Sequence, residues 1–387
     1  MTARLSLLLA LLLLAACGSD DDARSSEGPP SSSDPGPSSV PAQETSSPSS
    51  EDSSTTPVDE IPLLTDARIT SRPDDPNFHR VRAPLDLAGG PFADARLRIE
   101  LGTTCYPFTG WNELHFPPGH NWPESCDAFD RNFEILLRQI DAPEDQPLFE
   151  VERAITPFGG PMTLDVDITD LANARPGDWE LIVHISTWSD RDGQVTGADG
   201  GWNIDAFATL VPGEAPRPVL DAIPLFNGNL THEEPLLEAE WTVDDAVESA
   251  RLELRTTGHG GASDPSRDCI GPAEEFCRRF HSLRIDGATL TIRQPWRDDC
   301  DTLCTLRDFP FGAGDQQYCA ENPCGALGSV RAPRANWCPG DVSPPLVLDD
   351  ARLHAPGTRT FTMEVEDIFP GGSWRTSAVL YTYGTRP

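Results

Sequence analysis

Between about Asp66 and Pro212 the chain alternates apolar and polar positions in short runs, as in Leu97-Arg98-Ile99-Glu100-Leu101, Leu164-Asp165-Val166-Asp167-Ile168 and Leu181-Ile182-Val183-His184-Ile185. A period of two puts successive side chains on opposite faces, so each run reads as a strand with one buried face. Phe149-Glu150-Val151-Glu152 repeats the pattern, and Pro and Gly clusters separate the runs. No stretch of convincing length shows a helical period. After a proline-rich join at Pro212-Gly213-Glu214-Ala215-Pro216-Arg217-Pro218 the strand pattern resumes, at Leu252-Glu253-Leu254, Leu283-Arg284-Ile285, Leu290-Thr291-Ile292, Phe361 to Val365 and Val379-Leu380-Tyr381. The expectation is all-β, two antiparallel sandwiches, over 63–213 and 214–387. Ala250 to Thr257 echoes Ala95 to Leu101, and each precedes a long Cys-bearing acidic loop.

The first 62 residues read differently. A single Arg4, an apolar run from Leu5 to Ala16 and Leu14-Ala15-Ala16-Cys17 make a signal-peptide core too short to span a bilayer. Small residues before Cys17 resemble a bacterial lipobox, which implies cleavage over 1–17 and acylation of Cys17. Residues 18–62 are Ser, Pro, Asp and Glu, a composition that cannot bury enough apolar surface to offset its ordering entropy, so a disordered tether is expected. The protein is thus expected to be exported and attached to the cell envelope by lipid alone.

A net charge of −33 without a single lysine argues against nucleic acid or an anionic membrane surface as partner. Ten cysteines fit an exported, disulfide-stapled chain. A zinc site from Cys300, Cys304 and a His is the rival reading, weakened by the absence of a second matched pair. No His-x-His or paired His cluster suggests copper. No metal and no cofactor is expected.

Four motifs carry the candidate chemistry: Cys126-Asp127-Ala128-Phe129-Asp130-Arg131, Arg153-Ala154-Ile155-Thr156-Pro157-Phe158-Gly159, Glu275-Phe276-Cys277 and Arg334-Ala335-Asn336-Trp337-Cys338-Pro339-Gly340. In this order and rough spacing they resemble the successive signatures of the peptide-N-glycosidase F family, over about residues 80 to 385. The resemblance implies two eight-stranded jelly-roll sandwiches side by side with the site between them, and cleavage of the linkage between Asn and the first sugar of N-glycoproteins. Asparagine would leave as aspartate and the glycan as a glycosylamine. A monomer acting on a glycopeptide or glycoprotein is expected.

The resemblance assigns Asp130 as the primary catalytic carboxylate, with Glu275 orienting water or substrate opposite it and Arg334 as a fixed cation for a carbonyl or carboxylate. Glu274 is the alternative to Glu275, because Ile270-Gly271-Pro272 is inserted just upstream. Amide hydrolysis needs a base or nucleophile and donors for the charge that develops, which suits these residue types. Substrate contacts are expected from Asp127, Arg131, Ser186, Trp188, His259 and Trp337. Ser186 is a departure, standing where the family pattern Glu-Thr-Trp has its carboxylate, and a glycan-binding protein without turnover is the alternative that it favours. Among the cysteines the resemblance implies Cys105 with Cys126 and Cys269 with Cys277. Cys338 is expected to pair upstream with Cys300 or Cys319; similarity of Cys319-Ala320-Glu321-Asn322-Pro323 to the family favours Cys319.

Overall fold

Each alternating run has an apolar face that only a second sheet can cover, and the chain satisfies this twice over. In the computed structural model, which describes residues 59–103, 105–108, 117–261, 269–271, 273–310 and 316–385, the first sandwich is built from eight strands. They are β1 (Ile61–Thr70), β2 (Arg80–Asp86), β3 (Phe92–Gly102), β4 (Asn132–Gln139), β5 (Phe149–Ile155), β6 (Met162–Asp167), β7 (Asp178–Ile185) and β8 (Gly201–Pro212). The second contains β9 (Val219–Thr231), β10 (Leu236–Val243), β11 (Ser249–Gly260), β12 (His281–Ile285) and β13 (Ala288–Arg293). After a small hairpin of β14 (Leu306–Asp308) and β15 (Gln317–Cys319), it is completed by β16 (Leu346–Leu348), β17 (Gly357–Val365) and β18 (Gly372–Tyr383).

The first sandwich has the sheet orders β1-β8-β3-β6 and β2-β7-β4-β5, and the second β16-β11-β18-β9 and β10-β17-β12-β13. Counted within each sandwich, both are a 1-8-3-6 sheet facing a 2-7-4-5 sheet, the winding of a jelly roll. The fold is all-β and antiparallel, and the two echoing segments are the third strand, β3 and β11, of each sandwich.

Leu97, Ile99 and Leu101 of β3 meet Phe133, Ile135 and Leu137 of β4 in one core. Leu252, Leu254, Leu283, Phe361, Met363 and Leu380 make the other. The first core continues onto Ala222 of β9 and Val379, Tyr381 and Tyr383 of β18, so apolar packing crosses from one sandwich to the other. β1 opens at Ile61, and Glu60 pairs with Arg98 at 2.7 Å, so the expected tether over 18–62 overruns the strand by its last residues. Cys17 and nearly all of that tether lie outside the described residues.

Candidate active site

The site begins with a loop that the first sandwich holds rigidly. Cys126 is bonded to Cys105, and the next residue, Asp127, is 0% exposed. Its carboxylate accepts from Arg131 Nε and Nη2 at 3.0 and 3.2 Å, from Thr187 Oγ1 at 2.6 Å and from the Phe129 amide at 3.2 Å. Thr156 clamps the same loop, accepting from the Arg131 amide and donating to the Phe129 carbonyl. Four donors around a buried carboxylate leave it no capacity for a ligand. Asp127 is therefore a scaffold for the loop rather than the substrate contact expected of it, and Arg131 spends its fork on Asp127.

Asp130, one step from that scaffold, faces residues delivered by the second sandwich. Arg334, 0% exposed, reaches Asp130 Oδ2 with Nη2 at 3.6 Å and donates from Nη1 to Glu275 Oε1 at 2.9 Å. Ser329 accepts from the same Nη2 through its carbonyl and Oγ, at 2.8 and 2.9 Å. The guanidinium lies between two rings, its Cζ 4.7 Å from the Phe276 centroid and 4.4 Å from that of Trp337. The backbone fixes the partners too: the Ala335 amide donates to the Glu275 carbonyl at 2.8 Å. Asn336 takes φ 67°, a left-handed conformation that Asn tolerates, and its Nδ2 donates to the Thr256 carbonyl.

Two carboxyls thus share one cation. Burial raises the Asp130 carboxyl above its ordinary value, against the pull of Arg334 and Arg131. Burial also raises Glu275, opposed by Arg334 and reinforced by Asp130, to about 7. Two raised carboxyls on one cation provide one group to hold a proton and one to take it. Glu274, the alternative, points elsewhere: it is fully buried and accepts from Arg279 Nε at 2.7 Å and Trp374 Nε1 at 2.9 Å.

The remaining expected contacts divide. Ser186 follows the end of β7 and is exposed; Trp188 is 49% exposed, edge-on to Phe129 at 6.3 Å. Trp337 is buried, with Nε1 donating to the Gly258 carbonyl at 2.9 Å, so it is the bed of Arg334 rather than the substrate contact expected of it. His259 stacks on it at 5.2 Å. Burial, with Arg153 adding to it, pushes the His259 imidazole down to about 3. Residues without a role in the motif reading, Phe276, Ser329, Thr156 and Thr187, supply much of the support. Phe276 and Thr156 lie inside the quoted motifs; nothing in the local sequence singles out Ser329.

The structure joins Cys105 to Cys126 and Cys269 to Cys277. Cys338 joins Cys300, not the favoured Cys319, which joins Cys304. The Asn-Pro segment does meet the Cys338 segment, but through Asn322 Nδ2 donating to the Pro339 carbonyl at 3.0 Å. Cys319 instead ends β15 opposite Leu306, which brings it to Cys304 at the start of the hairpin. Cys300 and Cys304 are therefore both oxidised, and the zinc reading loses its thiolates. Cys324 is the free thiol among the described cysteines, and burial pushes it up to about 12.

Fold and site together define a class: a double jelly roll whose junction holds an acid pair on one buried arginine. Residues 227–381 match the family model described as peptide-N-glycosidase F, C terminal. The second sandwich is thus similar to the C-terminal domain of the peptide-N-glycosidase F family. It is 23% identical over 239 residues to the peptide-N(4)-(N-acetyl-beta-D-glucosaminyl)asparagine amidase F of Elizabethkingia miricola. That alignment covers 57% of this chain and 58% of the relative, so the chain spans little more than half the length of the curated relative it matches. A crystal structure of a peptide-N(4)-(N-acetyl-beta-D-glucosaminyl)asparagine amidase superposes with TM-score 0.59 at 17% identity, over 85% of this chain and 97% of that one. The structure of PNGase F from Flavobacterium meningosepticum, titled a glycosylasparaginase, gives TM-score 0.59 at 16% identity, over 85% and 96%.

Proposed function

We propose that the protein is an amidohydrolase of N-linked glycopeptides, cleaving between the asparagine side chain and the first N-acetylglucosamine. The observation that carries this reading is the pair Asp130 and Glu275, delivered by different sandwiches onto the two ends of Arg334. In the proposed reaction water adds to the side-chain amide carbon, with Asp130 taking its proton. Glu275 passes a proton to the departing nitrogen, so that aspartate and a glycosylamine are released. Arg334 holds both carboxyls apart and in register for these opposite tasks. Trp188, apolar, flat and exposed next to the Asp130 loop, offers a face for a sugar ring.

Replacing Asp130 with Asn removes basicity at nearly constant shape. Release of glycan from a denatured glycopeptide should fall at least about 100-fold while the melting temperature holds. Release at the wild-type rate would remove Asp130 from the mechanism. Ser186 favours a second reading, a glycan-binding protein without turnover; saturable glycan binding by a wild type that releases nothing from any glycopeptide would establish it.

Four disulfides support folding outside a reducing cytosol, which fits an exported chain. We further propose attachment by lipid at Cys17, with the residues ahead of Asp59 as the tether. Cys17→Ala should leave the protein unprocessed or free of membranes on fractionation, and unchanged behaviour would dismiss the anchor.

A further inference from the structure

One hydroxyl connects a buried ion pair of the first sandwich to a histidine of the second. Arg153 on β5 is fully buried and grips Glu150 at two points, Nε to Oε1 at 2.7 Å and Nη2 to Oε2 at 2.5 Å. Its remaining nitrogen, Nη1, crosses the junction to the Arg375 carbonyl at 2.5 Å and to Thr257 Oγ1 at 3.1 Å. Thr257 is itself fully buried on β11, two residues before His259 and so on the same face of the strand. Its Oγ1 lies 2.8 Å from His259 Nε2.

Proton accounting then decides the state of the ring. A buried hydroxyl places its hydrogen on an acceptor. Of the two groups on Thr257 Oγ1, the guanidinium only donates, whereas an imidazole nitrogen can accept. The hydroxyl hydrogen therefore goes to Nε2, and the neutral ring keeps its own hydrogen on Nδ1. Among the described residues none accepts from Nδ1. The ring plane is fixed separately by its stack on Trp337, which in turn lies under Arg334.

We propose that Arg153 and Thr257 are positioning residues that lock His259 as its Nδ1–H tautomer, giving the site one oriented neutral donor for an oxygen of the bound glycopeptide. The recipient's identity rests on the amidase reading; the tautomer does not. Desolvation, reinforced by Arg153, Arg334 and Arg375 and opposed by Glu134, keeps the half-buried ring neutral across the physiological range, so the donor does not titrate there.

The test uses the full-length exported chain labelled with 15N-histidine, comparing wild type, Thr257→Ser and Thr257→Val. Ser keeps the hydroxyl; Val keeps the shape and loses it. In wild type and Thr257→Ser, His259 should show a protonated Nδ1 and a bare, hydrogen-bonded Nε2. Thr257→Val should shift the ring toward the Nε2–H form. Glycan release should fall about tenfold in kcat/KM for Thr257→Val, the scale of one hydrogen bond, and recover in Thr257→Ser. A protonated Nε2 in wild type overturns the proposal, as do Ser and Val variants with the same tautomer and rate. Absence of any glycan release would count against the amidase alone, because the nitrogen shifts still decide the tautomer.

Discussion

At the scale of single residues, the site separates carboxylates that hold structure from those free to react, although the sequence sets them three positions apart. Asp127 and Asp130 sit in one motif, yet only Asp127 is saturated by its own loop; which of the two is satisfied depends on Thr187, 60 positions away. The motif order exposed Asp130, Glu275 and Arg334, because each is embedded in a short stretch whose neighbours also matter. It did not expose the supports, since a Ser or Thr that finishes a remote hydrogen bond carries no local signature. Glu275 offers a test of the electrostatics. Its carboxyl is raised to about 7 from 4.5, so the folded state binds a proton more tightly than the unfolded state, and stability falls as pH rises through that window. Glu275→Gln has no such loss. Its melting temperature relative to wild type should climb between pH 5 and pH 8, by calorimetry in matched buffers. A difference independent of pH would show that Glu275 ionises normally.

At the scale of elements, alternation revealed strands that face solvent on one side and concealed those that do not. β3 and β7 read directly. β4 has the burial of a strand covered on both faces, since Glu134 and Leu136 turn toward the other sandwich while Phe133 and Ile135 fill the core, and a period of two cannot survive that. β18 is covered on both faces too, and only Val379-Leu380-Tyr381 within it reads as a strand. The short helix α1 (Thr169–Ala174) has too few residues to display any period. Disulfide partners were the least legible feature, because pairing is decided by which strand ends converge. Here the two hairpin-side bridges make separate predictions. Cys300–Cys338 closes 38 residues and secures the segment carrying Trp337; Cys304–Cys319 closes 15 and staples only β14 to β15. In the chain-entropy picture, replacing each pair with Ser costs about 4 and about 3 kcal/mol. Glycan release should drop markedly only without Cys300–Cys338, as kinetics on the two double variants at a temperature where both remain folded would show. Equal loss of turnover in both would mean the hairpin itself serves the site.

At the scale of the whole molecule, two jelly rolls of identical winding become one site because their contact is ionic as well as apolar. The sequence announced the duplication, through the echo of β3 in β11, but gave no sign of the charges that join the copies, since paired residues lie more than 100 positions apart. Arg375 of β18 donates to Glu134 of β4 at 2.6 and 2.9 Å, and Arg255 of β11 reaches the Glu150 and Val151 carbonyls. Burial alone would push Glu134 up, but His184 and Arg375 hold its carboxyl well below the ordinary value. That stability is therefore present above about pH 4.5 and drains away as pH falls, the reverse of Glu275. Arg375→Met would leave Glu134 buried without its main partner, at a cost of about 3–5 kcal/mol at neutral pH. Asp130 and Glu275 are mounted on opposite sides of this contact, so turnover should fall with stability, although Arg375 is not one of the groups placed on the substrate. Calorimetry of wild type should show one transition, with both sandwiches melting together, and the Arg375→Met transition should move down as a unit. If the variant instead melts in two steps while glycan release persists, each sandwich is stable alone and the ionic contact does not hold the acid pair in register.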